Sequence, residues 1–171
     1  MNFSFSPSFG IQVRHLRHLY DDIPTELWCR QVAPFAFHPS WLVGHLTFSL
    51  QQIGGEIGIP DWLPETWSQS FATSTTPAHD PSNYPSPQEL KRVFEASVDT
   101  IVLRLQAMSL DELQRPLPDE VYRRSLPTIE HALVHILVAH FSIHLSQLAM
   151  WRKLVGLPDR PEIFDSPKQG D

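Results

Sequence analysis

The sequence predicts an all-α fold: one domain built as a four-helix bundle, with a long connection between its second and third helices. Three observations carry this. The chain has 171 residues, 42% of them apolar and 19% charged, an ordinary globular composition of about one domain's length. Its 16 prolines are clustered and leave four proline-free windows, Ser8 to Ile23, Ser40 to Ile59, Gln88 to Arg115 and Thr128 to Leu157. A proline inside a helix costs about 3 kcal/mol, so the windows are where long helices fit. No window shows the two-residue alternation of a strand.

Each window has helical features of its own. In the first, Phe9, Val13, Leu16 and Tyr20 recur at helical spacing. The second opens with Pro39 at a first helical position, which proline tolerates because its missing N–H would be unpaired there. The third opens on Ser86-Pro87-Gln88-Glu89, the pattern of a capping box, and continues with Leu90, Val93, Phe94, Ser97, Ile101, Leu105 and Met108 as an apolar stripe. The fourth begins at Thr128 as N-cap and ends at Gly156, with Pro158 beyond. Between the second and third lies the Ser/Thr/Pro-rich connection Asp61 to Pro85, too long for a tight turn, a crossover or a flap. The domain is expected to end at residue 157, leaving 158–171 as a C-terminal tail.

Composition excludes several function classes. The net charge of −6 is no nucleic-acid footprint. No uninterrupted apolar run reaches the roughly 18 residues of a membrane span, so no membrane partner is expected. Met1 to Gly10 carries no basic residue and no apolar stretch of signal type. A single cysteine, Cys29, leaves no internal disulfide and fits a reducing, cytoplasmic setting.

Nine histidines carry the chemistry. With His140 as the zero direction and about 100° per residue, His144 falls at roughly +40°, Gln147 at −20° and Trp151 at +20°. Leu133, Ile136, Leu137, Leu154 and Val155 lie within about 60° of the same direction, so His140 and His144 point into the bundle. His131 and His135 fall near 180° and 220° on the same arithmetic, beside Ser142, Ser146, Arg152 and Lys153, and look outward. Two inward imidazoles four residues apart can ligate one metal ion; hydrogen-bonded core histidines have the same spacing. His45, on a face with Trp41, Leu42, Phe48, Ser49 and Gln52, offers a third imidazole from the second helix. Three imidazoles suit Zn²⁺, Ni²⁺, Fe²⁺ or Cu²⁺ and leave positions open for water or substrate. Gln147 sits where it can orient a ring or a bound water from outside the ligand set, or make an ordinary interhelical hydrogen bond.

The segments His38-Pro39-Ser40-Trp41-Leu42-Val43-Gly44-His45-Leu46 and His140-Phe141-Ser142-Ile143-His144-Leu145-Ser146-Gln147 resemble the second- and fourth-helix signatures of the DinB (damage-inducible) family. The resemblance covers roughly Phe9 to Gly156. It implies a four-helix bundle, a metal triad at His45, His140 and His144, and a homodimer. It also implies a small-molecule substrate, since characterised relatives include metal-dependent thiol S-transferases and mycothiol-dependent isomerases. The expected activity is therefore a divalent-metal-dependent, thiol-dependent S-transfer or isomerisation, with Zn, Ni or Fe and a low-molecular-weight thiol as cofactors. Water in place of the thiol would give a hydrolase, and the alternative is a non-catalytic, stress-related metal-binding bundle. Where relatives often carry Arg-Gly before the glutamine, this chain has Leu145-Ser146.

Other polar residues have plainer readings. His15 and His18 fit a solvated basic face beside Arg14 and Arg17, and His38 an N-cap. His79 is read as a surface residue, with a flap residue near the metal position as the alternative. Glu56 follows His45 on a similar face, as a helix-end carboxylate or a base at a pocket mouth. Cys29 carries no sign of activation. Trp62 and Trp67 are suited to pinning the long connection over the bundle or to a dimer contact. The outward side of the fourth helix, with Ser142, Ser146 and Ala149, is a candidate dimer face. No pair of inward carboxylates is evident.

Overall fold

A computed structural model describes residues 3–160. They form an all-helical bundle, with no strand among the described residues and only two isolated bridges, Val32 to Phe35 and Pro116 to Thr128. The bundle helices are α1 (Ser6–Tyr20), α2 (Pro39–Glu56) and α4 (Pro87–Ala107), completed by a last helix in three parts. Those parts are α7 (Ile129–Val134), a π-helical turn (His135–His140) and α8 (Phe141–Leu154). Short helices α3 (Thr66–Phe71), α5 (Leu110–Gln114) and α6 (Glu120–Arg123) sit in the connections.

The central element is α2. It packs against α4, α3 and the whole of the last helix, and nearly every residue from Pro39 to Ile53 is buried. A helix apolar on all sides belongs in a core. His38 starts it: its Nε2 meets the Ala78 carbonyl at 2.8 Å, and its Nδ1 meets both the Trp28 carbonyl at 3.0 Å and the Trp41 N–H at 3.3 Å. The expected stripe of α1 is buried throughout.

The third window differs from its expectation in two ways. The helix does not run to Arg115 but ends at Ala107, and Ser109 then caps α5 with a complete capping box to Glu112. At the start of α4, Ser86 does accept the Glu89 N–H, but the Glu89 carboxylate turns to Arg92 instead of closing the box.

The long connection is bolted to the bundle, as its tryptophans led one to expect. Gln51 Oε1 accepts the backbone N–H groups of Trp62 (2.9 Å) and Leu63 (2.6 Å), and Trp62 Nε1 donates to Ser97 Oγ at 2.8 Å. Trp67 and Phe71, on α3, are buried.

The last helix is long enough and, at a mean hydropathy of 1.5, apolar enough to cross a membrane, although no uninterrupted apolar run of that length occurs in it. Only 33% of its most apolar stretch is buried in the bundle; along the helix Leu133, Leu137, Phe141, Leu148 and Trp151 are fully buried, while Val134, Ile143, Met150 and Leu154 are exposed. Two of its residues overturn the angular expectation. Leu154, expected inward, is exposed. Arg152, expected outward, is fully buried: its guanidinium pairs with Asp22 and donates to the Leu19 and Pro158 carbonyl oxygens. Asp22 is also held by Arg160, so the expected tail begins with residues tied to the bundle, and its remainder, 161–171, lies outside the described residues. Ser142 of the candidate dimer face accepts a hydrogen bond from Gln12 Nε2 within the bundle.

Candidate metal centre

His45 enters the site from the middle of α2, His140 from the end of the π-helical turn and His144 from the first turn of α8. Their Nε2 atoms converge, His140 Nε2 lying 3.1 Å from that of His45 and 3.0 Å from that of His144. The other ring nitrogens explain the orientation. His45 Nδ1–H donates to the Phe71 carbonyl at 2.7 Å, and His144 Nδ1–H donates to Gln147 Oε1 at 2.7 Å. In the neutral form both rings then present a bare lone pair at Nε2. His140 holds at most one proton on its own Nε2, so at most one of the two contacts is a hydrogen bond. Buried lone pairs facing one another are unfavourable unless a cation sits between them. The donor set therefore fits a metal ion held by three neutral nitrogens, with the tautomers of His45 and His144 set from behind and His140 Nδ1 buried without a partner.

The electrostatics agree. Burial is the largest influence on all three rings and pushes each below the ordinary imidazole range. His140 falls to about 3, with the neighbouring imidazoles of His144, His45 and His135 adding to the effect. His144 falls to about 4, with His45 adding and the Gln147 hydrogen bond opposing. The triad is neutral near pH 7, the state in which imidazole binds metals. Trp41 closes one side: its ring stacks on His45 with centroids 4.6 Å apart, and its Nε1 donates to Thr75 Oγ1 at 3.0 Å.

The other side is open. A cavity of about 360 Å³ reaches His140 and is walled by Ile53, Ile136, Leu117 and Leu126. His135 lines it too, although the uniform 100° step placed that residue on the opposite face from His140. The π-helical turn between them re-phases the helix, leaving His135 exposed but with its ring centroid 6.5 Å from that of His140. Glu56 and Asp119 both line the same cavity, which corrects the expectation that no two carboxylates face inward. Burial, with the Asp119 carboxylate adding and a hydrogen bond from the Asp119 backbone opposing, raises the Glu56 carboxyl above its usual range.

The remaining candidates stand apart. His79 and His131 are exposed. The Cys29 thiol meets Ser40 Oγ at 3.3 Å and is pushed up by burial, the reverse of activation. Leu145 is buried in the core and Ser146 is exposed. Sequence reasoning missed Phe71 and the positioning role of Trp41. The helical spacing of Leu63, Trp67 and Phe71 was the available signal that the connection folds onto the bundle; that a carbonyl there would hold His45 had no signal at all.

Comparison with curated proteins gives no match. The family model of the DinB superfamily matches residues 11–148, a span that takes in most of α1, all of α2 and α4, and all three histidines of the triad. The helical bundle and the converging imidazoles are thus those of a family member compatible with metal binding, and the chain belongs to the DinB superfamily.

Proposed function

We propose that His45, His140 and His144 bind one divalent transition metal ion, Zn²⁺, Ni²⁺ or Fe²⁺, and that the chain is a thiol-dependent S-transferase or isomerase acting on a small molecule in a reducing cytosol. The observation that carries the metal reading is the convergence of three Nε2 atoms, two of whose rings have already committed Nδ1–H to Phe71 and Gln147. A bound metal ion would lower the pKa of a low-molecular-weight thiol and keep it as the nucleophilic thiolate near neutral pH. The chain's own residues supply the rest. Phe71 and Gln147 fix the rings, Trp41 covers the His45 side against water, and the cavity beside His140 admits the reacting molecule. The thiol chemistry is supported by family membership.

The test is metal content by elemental analysis of the wild type and His140→Ala, followed by loss of free thiol in the presence of an electrophile. About one equivalent per chain in the wild type, as expected for a single three-imidazole site, and its loss in the variant, is the expected result. A wild type that stays metal-free after incubation with Zn²⁺, Ni²⁺ and Fe²⁺ overturns the reading. Metal binding without thiol turnover would leave the non-catalytic bundle in its place.

A further inference from the structure

The cavity beside the triad has a charge pattern that metal binding does not require. Its walls are apolar at Ile53, Leu117, Leu126 and Ile136, acidic at Glu56 and Asp119, and imidazole at His135 and His140; among the described residues no lysine or arginine lines it. Nearby guanidinium groups are turned elsewhere. Arg123 donates to the Leu117 and Pro118 carbonyl oxygens, and Arg104 to the Ile57 carbonyl and to Glu112.

The two carboxylates differ. Asp119 Oδ1 is occupied at the start of α6, accepting the N–H groups of Val121 (2.8 Å) and Tyr122 (3.0 Å). Glu56 Oε2 is buried and has no hydrogen-bond partner. A buried carboxylate oxygen without a donor is costly, and Glu56 is among the residues that line the cavity. In the metal-free protein a ligand carrying an ammonium meets two carboxylates of opposite charge, whereas a ligand carrying a carboxylate meets two like charges and no lysine or arginine among the described residues.

We propose that this cavity holds the reacting molecule and that Glu56, backed by Asp119, selects a neutral or amine-bearing molecule with an apolar body over a carboxylate-bearing one. That the occupant is the reacting molecule rests on the metal reading, because His140 is the residue that joins the cavity to the triad; the charge selection stands without it. Applied to the thiol, the same selection favours an amino- or uncharged thiol over a polycarboxylate one.

The experiment uses chelator-treated protein and two probes of equal reach and opposite charge, 2-phenylethylamine and 3-phenylpropionate. Binding is followed by the NMR shifts of the Ile53 and Ile136 methyl groups, in the wild type and in Glu56→Gln. The amine is expected to bind at least about tenfold more tightly in the wild type, the scale of one charge contact in a partly buried site. In Glu56→Gln the ratio is expected to fall to within about threefold. Equal binding, tighter binding of the acid, a ratio unchanged in Glu56→Gln, or no shift with either probe at millimolar concentration overturns the proposal. A Co²⁺ titration of the wild type, run in parallel, tests the metal reading separately, so that either can fail alone.

Discussion

Gly44→Ala tests how the site is held together. A Cβ at Gly44 would stand 2.5 Å from Phe71 Cζ and closer still to Cδ1 and Cε1 of that ring. Carbon atoms pack best at about 3.5–4.0 Å, so the ring must retreat by about 1 Å or more. Phe71 is only 1% exposed, and overfilling such a core costs about 1–3 kcal/mol. Alanine regains about 1 kcal/mol of helix propensity over glycine, which leaves a net loss of up to about 2 kcal/mol. The consequence specific to this site is that the Phe71 carbonyl is also the acceptor for His45 Nδ1–H. Shifting it loosens the ring, and lost support of this kind lowers metal affinity about 10- to 100-fold. Urea unfolding gives the first quantity and Co²⁺ titration the second. In a Phe71→Ala background the clash is gone and Gly44→Ala should become stabilising by up to about 1 kcal/mol, a coupling of about 1–3 kcal/mol. A Gly44→Ala protein with wild-type stability and metal affinity, or the same penalty in both backgrounds, refutes the reasoning.

Two further substitutions probe other supports. Gln147→Leu removes the acceptor of His144 Nδ1–H from a half-buried position, so Co²⁺ affinity should fall about 10- to 100-fold with little change in urea midpoint; an unchanged affinity would mean that His144 is oriented by packing alone. Asp22→Asn strips charge from a pair whose arginine side chain is only 2% exposed, and should cost about 1–3 kcal/mol at neutral pH. The Arg152 hydrogen bond, followed by Arg160, holds the Asp22 carboxyl well below its usual range. Its stabilisation is therefore complete above about pH 4 and is lost as pH falls towards the folded-state value. The acid limb of wild-type stability should be flatter in Asp22→Asn, and limbs of equal slope would count against the pair.

What could be read from the sequence follows a physical line. The inward direction of His140 and His144 was legible because α8 keeps a regular 3.6-residue repeat from Phe141 onward, and that of His45 because α2 lies in a run of apolar neighbours. The same arithmetic failed for His135 because a π-helical turn intervenes, and no residue pattern within 135–140 announces one. It failed for Arg152 because the compensating charge, Asp22, comes from the far end of the chain, and a buried arginine reads as outward until its partner is found. The break of the third window at Ser109 was legible in principle: Ser109 and Glu112 have the capping-box spacing, but the apolar stripe that ran through Met108 masked it.

The division at the site itself is of the same kind. The residues that point at the metal position are periodic and local, whereas those that orient them are neither. His45 depends on a main-chain carbonyl, which any residue type at position 71 would possess, and its fit depends on a glycine one residue before it in α2. Seen from the sequence, Gly44 is one letter of a Gly-His-Leu step; in the fold it makes room for the ring whose backbone holds the next residue's imidazole. That links the glycine to the histidine through packing and not through chemistry. It predicts that the pair tolerates change only together with position 71: enlarging residue 44 should be accepted where residue 71 shrinks, with His45 and its hydrogen bond to the residue 71 carbonyl left in place.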